Sequence, residues 1–471
     1  MVIPLLLTGN NLQITNTSWD NSTNILSFDI SWENSWRDAS GDFYDAVWVF
    51  VKYAPNGGPQ WLHADIQPYG ATQLPFTVDA VSDSKGVFIY RTQAGTGTIG
   101  PNTIDILVTE TSLGPFPDFK VFGIEMVNVP EGPYYLGGSV TNALDEHFHR
   151  GDDVDEAFYV NTSGTLTYGS TSSDWATTES FGYVTDIPAT YPNGYDQFYA
   201  MKYPVTAEQY VEFLNTLTFQ QQNNRTETDL NSLSTSNHFV MSETTGPEHR
   251  NSIKSDTTIT PGTPVTFYCD LNNNGTSNEI DDGQNIVMNL VNVYDYLAYA
   301  DWAALRPLTM LEHEKMCRGP LPSVQDERAW GTAGVNIINL QVMLTNPGQP
   351  DESHPQVGNP EIFFNYPVRV GIAATPTSDR LVSGAGYYGH MHLSTFTDEF
   401  YVAAESVNYG LGFTGEYGDG ELTTQGFANM SDLPTSTGYE RKGGNDPIVE
   451  MSTGVGATSV RNQDHGIRVG R

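Results

Sequence analysis

The stretch "CDLNNNGTSNEIDDG", residues 269–283, carries oxygen-bearing side chains at the spacing a hard cation needs. Counting from Asp270, residues Asn272, Asn274, Thr276 and Asn278 fall at the third, fifth, seventh and ninth positions, with Gly275 at the sixth and Asp281 at the twelfth. An EF-hand loop holds calcium through these offsets and turns on a glycine at the sixth. The spacing therefore points to calcium held by Asp270, Asn272, Asn274, Thr276, Asn278 and Asp281. Aspartate at the twelfth position is shorter than the usual glutamate, and the same Asn, Asp and Gly content also makes a turn that needs no ion. Upstream, "DEHFHRGDDVDE" (145–156) puts His147 and His149 on one face of a strand, the start of a transition-metal site. No third ligand is set by spacing, and a solvated acidic loop is the plainer reading. Cys269 and Cys317 are the only cysteines, so at most one disulfide forms and no disulfide framework supports the fold.

Residues 381–440 contain no Lys or Arg, eight Asp or Glu, and many aromatics. Tyr387, Tyr388, His390, Tyr401, Tyr409, Phe413 and Tyr417 could line an open surface for a carbohydrate or a protein. The competing expectation is that these rings pack long loops onto a small sheet.

These residues need elements to hold them. "NILSFDISWENSW", "YDAVWVFVKYA", "KGVFIYRTQ" and "NTIDILVTET" are strand-like runs separated by turn signals such as "PNGGP". They predict an N-terminal β-sandwich over residues 1–118, bounded by the Pro/Gly-rich "TSLGPFPDFK". The remainder, 119–471, reads as a second, loop-rich domain. Thr206 with Gln209 and Thr309 with Glu312 have capping-box spacing, which predicts helices starting at both positions. Tyr210, Phe213, Leu214 and Leu217 form an apolar face on the first of them, and "NVYDYLAYADWAAL" predicts another helix.

Asp plus Glu number 56 against 21 Lys plus Arg, a formal charge of −35 over 471 residues. Such a surface repels phosphates, which argues against nucleic acid and anionic lipid as partners and favours cations. No run approaches the length of a membrane-spanning helix. "MVIPLLLTGNN" lacks a basic n-region and reads as a first strand or the remnant of a processed leader. Abundant Gly, Asn, Thr and aromatics with scarce Lys predict an extracellular or cell-surface location.

The blocks "IEMVNVPEGPYYLGGS", "FYAMKYPVTAEQYVEFLN", "VNVYDYLAYADWAALRPLTMLEHEKMCRGP", "AWGT", "YYGHMHLSTFTDEF" and "HGIRVGR" follow one another in an order that resembles the formylglycine-generating-enzyme (sulfatase-modifying factor) family. The resemblance implies an α+β chain, with the β-sandwich followed by a loop-rich C-type-lectin-like domain. It also implies that Glu399 matches a glutamate helping a structural calcium site. Enzymes of the family activate oxygen with copper through a pair of cysteines near the C-terminus. The equivalent segment here, "GYERKGGNDPIVEMSTGVGATSVRNQDHGIRVGR", holds no cysteine.

Together these observations predict a non-enzymatic structural or adhesive protein that self-associates, as the subunit of a fibre, surface appendage or phage-like tail. The alternatives are a lectin-like receptor for glycans or proteins, and an enzyme of altered chemistry. Arg306, Glu312, Glu314 and Arg318 are expected to hold a helix through ion pairs, with Cys317 a buried thiol.

Overall fold

The computed structural model describes residues 11–471 apart from 142–146, 179–183, 233–237, 256–257, 278, 335, 339–343, 356–361, 365, 376–377, 396, 405–409, 444–447 and 450–458. Strand outweighs helix. The N-terminal part contributes β1 (Gln13–Asp20), β2 (Ile25–Arg37), β3 (Asp45–Ala54), β4 (Leu62–His63), β5 (Ile66–Pro68), β6 (Thr72–Gln73), β7 (Phe76–Ala80), β8 (Val87–Arg91), β9 (Gly95–Val108) and β10 (Asp118–Val129). One sheet has the order β1-β2-β9-β5. The second runs β15 (Phe198–Met201)-β10-β3-β8-β7-β6, with β4 added to β3.

Period-two patterning explains how the two sheets meet. Leu26, Phe28, Ile30 and Trp32 point from β2 into the same buried cluster as Val47, Val49, Val51 and Tyr53 from β3. The alternate residues of β3, Ala46, Trp48 and Phe50, join a second and larger cluster on the other face. β3 is therefore buried along its whole length, as its near-continuous apolar run "DAVWVFVKYA" requires.

β10 makes one sheet of both parts of the chain. It pairs antiparallel with β3 over Asp118–Val127 and with β15 (Phe198–Met201) over Met126–Val129. The expected boundary at 118/119 thus falls on the first residue of a shared strand. Between β10 and β15, β11 (Tyr134–Leu136) pairs with β13 (Phe158–Val160), and β12 (Phe148–Arg150) with β14 (Trp175–Thr177).

The second part follows with α1 (Ala207–Leu214), α2 (Phe219–Arg225), β16 (Ile253–Ser255), β17 (Phe267–Cys269), α3 (Val293–Trp302) and α4 (Met310–Arg318). After them come β18 (Asn336–Ile338), β19 (Ile362–Phe364), α5 (Arg380–Ser383), β20 (Asp398–Val402), β21 (Tyr439–Gly443) and β22 (His465–Gly466). Both predicted capping boxes form. Thr206 accepts from the Gln209 N–H and Thr309 from the Glu312 N–H, and each partner side chain accepts the cap N–H in return. α1 ends at Leu214, so Leu217 is buried from the following turn and not from the helix.

Side chains lock the two parts together. Trp48 donates its indole N–H to the Ala303 carbonyl at 2.9 Å. Arg471 pairs with Asp83 at 2.5 Å and lies over the rings of Trp48 and Tyr417, each at 4.4 Å. The buried Lys52 ammonium donates to the Gly420 carbonyl. Burial pulls its pKa down to about 7, against the upward pull of Glu421, Asp301 and Asp419. Gly420 has φ +88°, and a Cβ there would run into the His63 ring, so only glycine brings this loop so close to the N-terminal strands.

Candidate functional site

The stretch "LRPLTMLEHEKMCRGP" becomes α4, with every helical residue buried. Arg306 grips Glu312 in a fork, Nη2 to Oε1 at 2.6 Å and Nη1 to Oε2 at 2.9 Å. Arg318 pairs with Glu314 at 3.4 Å and with Glu327, and donates to the Tyr135 carbonyl at 2.7 Å. Lys315 donates to the carbonyls of Pro130, Gly194 and Tyr195, and burial pulls its pKa down to about 8. These charges brace loops against a helix, as expected of Arg306, Glu312, Glu314 and Arg318.

Glu399 belongs to the same core. It lies on β20, buried, where Arg468 Nε reaches its Oε2 at 2.7 Å and Tyr401 donates to that oxygen at 2.6 Å. Arg468, from the closing "HGIRVGR", also donates to the carbonyls of Met201, Lys202 and Met391. Its guanidinium takes the place next to Glu399 that a calcium ion would need, so this residue holds a tail strand.

The residues present do not fit a two-thiolate copper centre. Both thiols are free and buried. Cys269 ends β17, while Cys317 sits in α4 with the His313 ring nitrogens 3.6 and 3.9 Å from its sulfur. Burial raises both thiol pKa values, Cys269 to about 12, which opposes the thiolate that soft-metal ligation requires. In the folded state neither thiol is expected to react with a thiol-titrating reagent at pH 8, and both react after unfolding. Rapid labelling of the native protein would contradict this packing.

The calcium ligand set inferred from spacing is rearranged. Asp270 is buried, and Lys254 Nζ stands 2.7 Å from its Oδ2 and 2.8 Å from Asn273 Oδ1. The Asn274 and Gly275 N–H groups occupy the remaining directions. A lysine ammonium thus supplies the cation for this carboxylate. Asn272 donates to Asp281 at 3.0 Å, Asn274 donates to Glu279, and Thr276 donates its N–H to Asn274 Oδ1 at 2.7 Å. Asn278 lies outside the described residues. Instead Glu279, Asp281 and Asp282 bring carboxylate oxygens within 4.8 Å of one another. Burial, opposed by the Glu279 N–H but reinforced by Asp270, Asp281 and Glu279, pushes the Asp282 carboxyl up to about 6. Sequence spacing misses Glu279 and Asp282 because both fall off the EF-hand offsets. It misses Lys254 because the β16–β17 register decides that contact.

The aromatic set does not form one open surface. Tyr388, His390, Tyr401 and Phe413 are buried, and Tyr387 is half-buried. Tyr388 stacks on Phe43 from the N-terminal part at 5.8 Å. Only Tyr417 is exposed, at 41 %; Tyr409 lies outside the described residues. Long loops without regular structure must bury rings to become ordered, and these rings do so. His147 and His149 also fail to converge on an ion. His147 Nε2 meets the Val154 carbonyl at 3.2 Å, and His149 Nδ1 meets the Arg150 carbonyl at 2.8 Å.

A cleft of about 940 Å³ opens between the two parts of the chain, bordered by Glu33, Glu125, Glu208, Glu212, Glu279 and Asp351. Arg369 is its single basic lining residue among the described residues.

No curated protein matches the chain. The expected later blocks, "YYGHMHLSTFTDEF" and "HGIRVGR", lie beyond the residues matched by a family model. That model covers residues 123–346 and describes the sulfatase-modifying factor enzyme 1-like domain, and the chain carries a domain similar to it over those residues.

Proposed function

We propose that this protein is a non-enzymatic structural or adhesive component of an extracellular or cell-surface assembly. In it the sulfatase-modifying-factor-like domain serves as a scaffold and the chain associates with copies of itself. The observation that carries the reading is the commitment of the domain's two thiols and its buried charges to packing. Cys269 and Cys317 are neutral core groups in separate elements. Arg306, Arg318 and Arg468 are each paired to a glutamate. The sheet that β10 shares between both parts of the chain supports the scaffold reading.

In this reading residues 1–118 are a β-sandwich. Its support is the separate cluster that takes inward residues from both N-terminal sheets. Residues 119–471 are the lectin-like module. The receptor alternative would need an exposed aromatic platform, to which the expected set contributes Tyr417.

Two measurements test the proposal. Incubated with copper(I), oxygen and a cysteine-containing peptide, the full chain should leave the peptide unchanged by mass spectrometry; conversion of the cysteine would refute the non-enzymatic reading. Light scattering and electron microscopy should show oligomers or filaments that grow with concentration. A strict monomer at high concentration would refute self-assembly.

A further inference from the structure

The acidic group at 279–282 differs from a solvated turn in one respect. Asp282 is fully buried, and its Oδ1 has no hydrogen-bond donor among the described residues. A buried carboxylate oxygen without a donor is costly and calls for a proton or a cation. No Lys or Arg among the described residues forms an ion pair with Glu279, Asp281 or Asp282; the nearby Lys254 is paired with Asp270. Hydrogen bonds hold all three carboxylates in place. Asp282 Oδ2 accepts the Glu279 N–H at 2.6 Å, Asp281 Oδ1 accepts from Asn272, and Glu279 Oε2 accepts from Asn274. Such outer contacts are what orient ligands around a metal. Glu279 borders the acidic cleft, which gives an ion a path from solvent.

We infer that Glu279, Asp281 and Asp282 form a calcium site at the edge of the cleft between the two parts of the chain. Three carboxylates with no His or Cys select a hard divalent cation, and an irregular loop suits calcium better than the strict octahedron of magnesium. The site excludes Asp270, whose charge Lys254 already meets. It goes beyond the proposed function and does not depend on it.

The test is isothermal titration of the EDTA-treated full chain with CaCl2, paired with melting curves. One site is expected, with a Kd on the order of 10⁻⁴–10⁻³ M, and the melting temperature should rise with calcium. Asp282→Asn keeps the shape and removes the orphan charge. Calcium affinity should fall by roughly tenfold or more, while the melting temperature without calcium stays level or rises. Asp281→Asn, at a half-buried position, should lose affinity in the same way. No heat and no melting shift at about 10 mM CaCl2, or either variant binding like the parent, would overturn the inference.

Discussion

Replacing Arg468 by alanine is expected to lower the free energy of unfolding by about 3–5 kcal/mol, the loss that follows when one partner of a buried ion pair is removed. The guanidinium is fully buried, pairs with Glu399 and donates to three carbonyls on two segments. Its removal strands a buried carboxylate whose Oε1 already has no donor among the described residues. It also takes a donor from the Met201, Lys202 and Met391 carbonyls, of which Lys202 keeps the Met391 N–H. Arg468→Lys should recover only part of the loss, because a point charge cannot serve four acceptors set in a planar fan. The double variant Arg468→Met with Glu399→Leu should be more stable than Arg468→Ala, since neither member of this pair is then left unpartnered in the core. Urea unfolding gives the numbers. A loss under about 1 kcal/mol for Arg468→Ala, the range of an exposed ion pair, would show that the pair is not buried in solution.

The second large effect is on pH dependence. His390 is fully buried, and neither ring nitrogen has a partner among the described residues. Burial, and then the electrostatic effect of Arg468, His313 and Lys202, hold its pKa well below the ordinary value. The sign follows from proton counting. Below about pH 6.5 the unfolded chain binds a proton at this histidine and the folded chain does not. Its contribution is therefore fully present above pH 6.5 and is lost as pH falls toward the folded pKa, at about 1.4 kcal/mol per pH unit. His392, pulled to about 3, and His313 act in the same direction. Asp301, buried and pushed up to about 7, acts the opposite way, because its folded form holds a proton that the unfolded form releases. His390→Leu isolates one term. The variant should gain stability over the parent as pH falls from 6.5 to 5. Parallel pH curves for the two proteins would mean that solvent or an unseen donor reaches this ring.

Some of this architecture is readable along the chain because it rests on short-range bonds. The capping boxes at Thr206 and Thr309 close over three residues, so spacing alone places the starts of α1 and α4. Alternation in "NILSFDISW" and the continuous run in "DAVWVFVKYA" set the burial of β2 and β3, because side chains alternate across a sheet whatever their partner strand. The family resemblance, too, stands on contiguous blocks.

What spacing could not decide is which distant group meets each charge or ring. The EF-hand offsets locate the oxygens around Asp270. The pairing of β16 with β17 then sets an ammonium beside the first of them and leaves Glu279, Asp281 and Asp282 as the open group. The aromatics of 387–417 are legible as anchors, but Phe43, in the bend before β3, covers Tyr388, and core packing covers His390, Tyr401 and Phe413. Glu399 reads as a cation ligand, and its cation proves to be Arg468, a residue of the closing strand. Local hydrogen bonding and the apolar faces are written along the chain, because both act over a few residues. The neutralisation of buried charges and the exposure of each ring come from the folded arrangement, because desolvation and pairing depend on what the rest of the chain brings within a few ångströms.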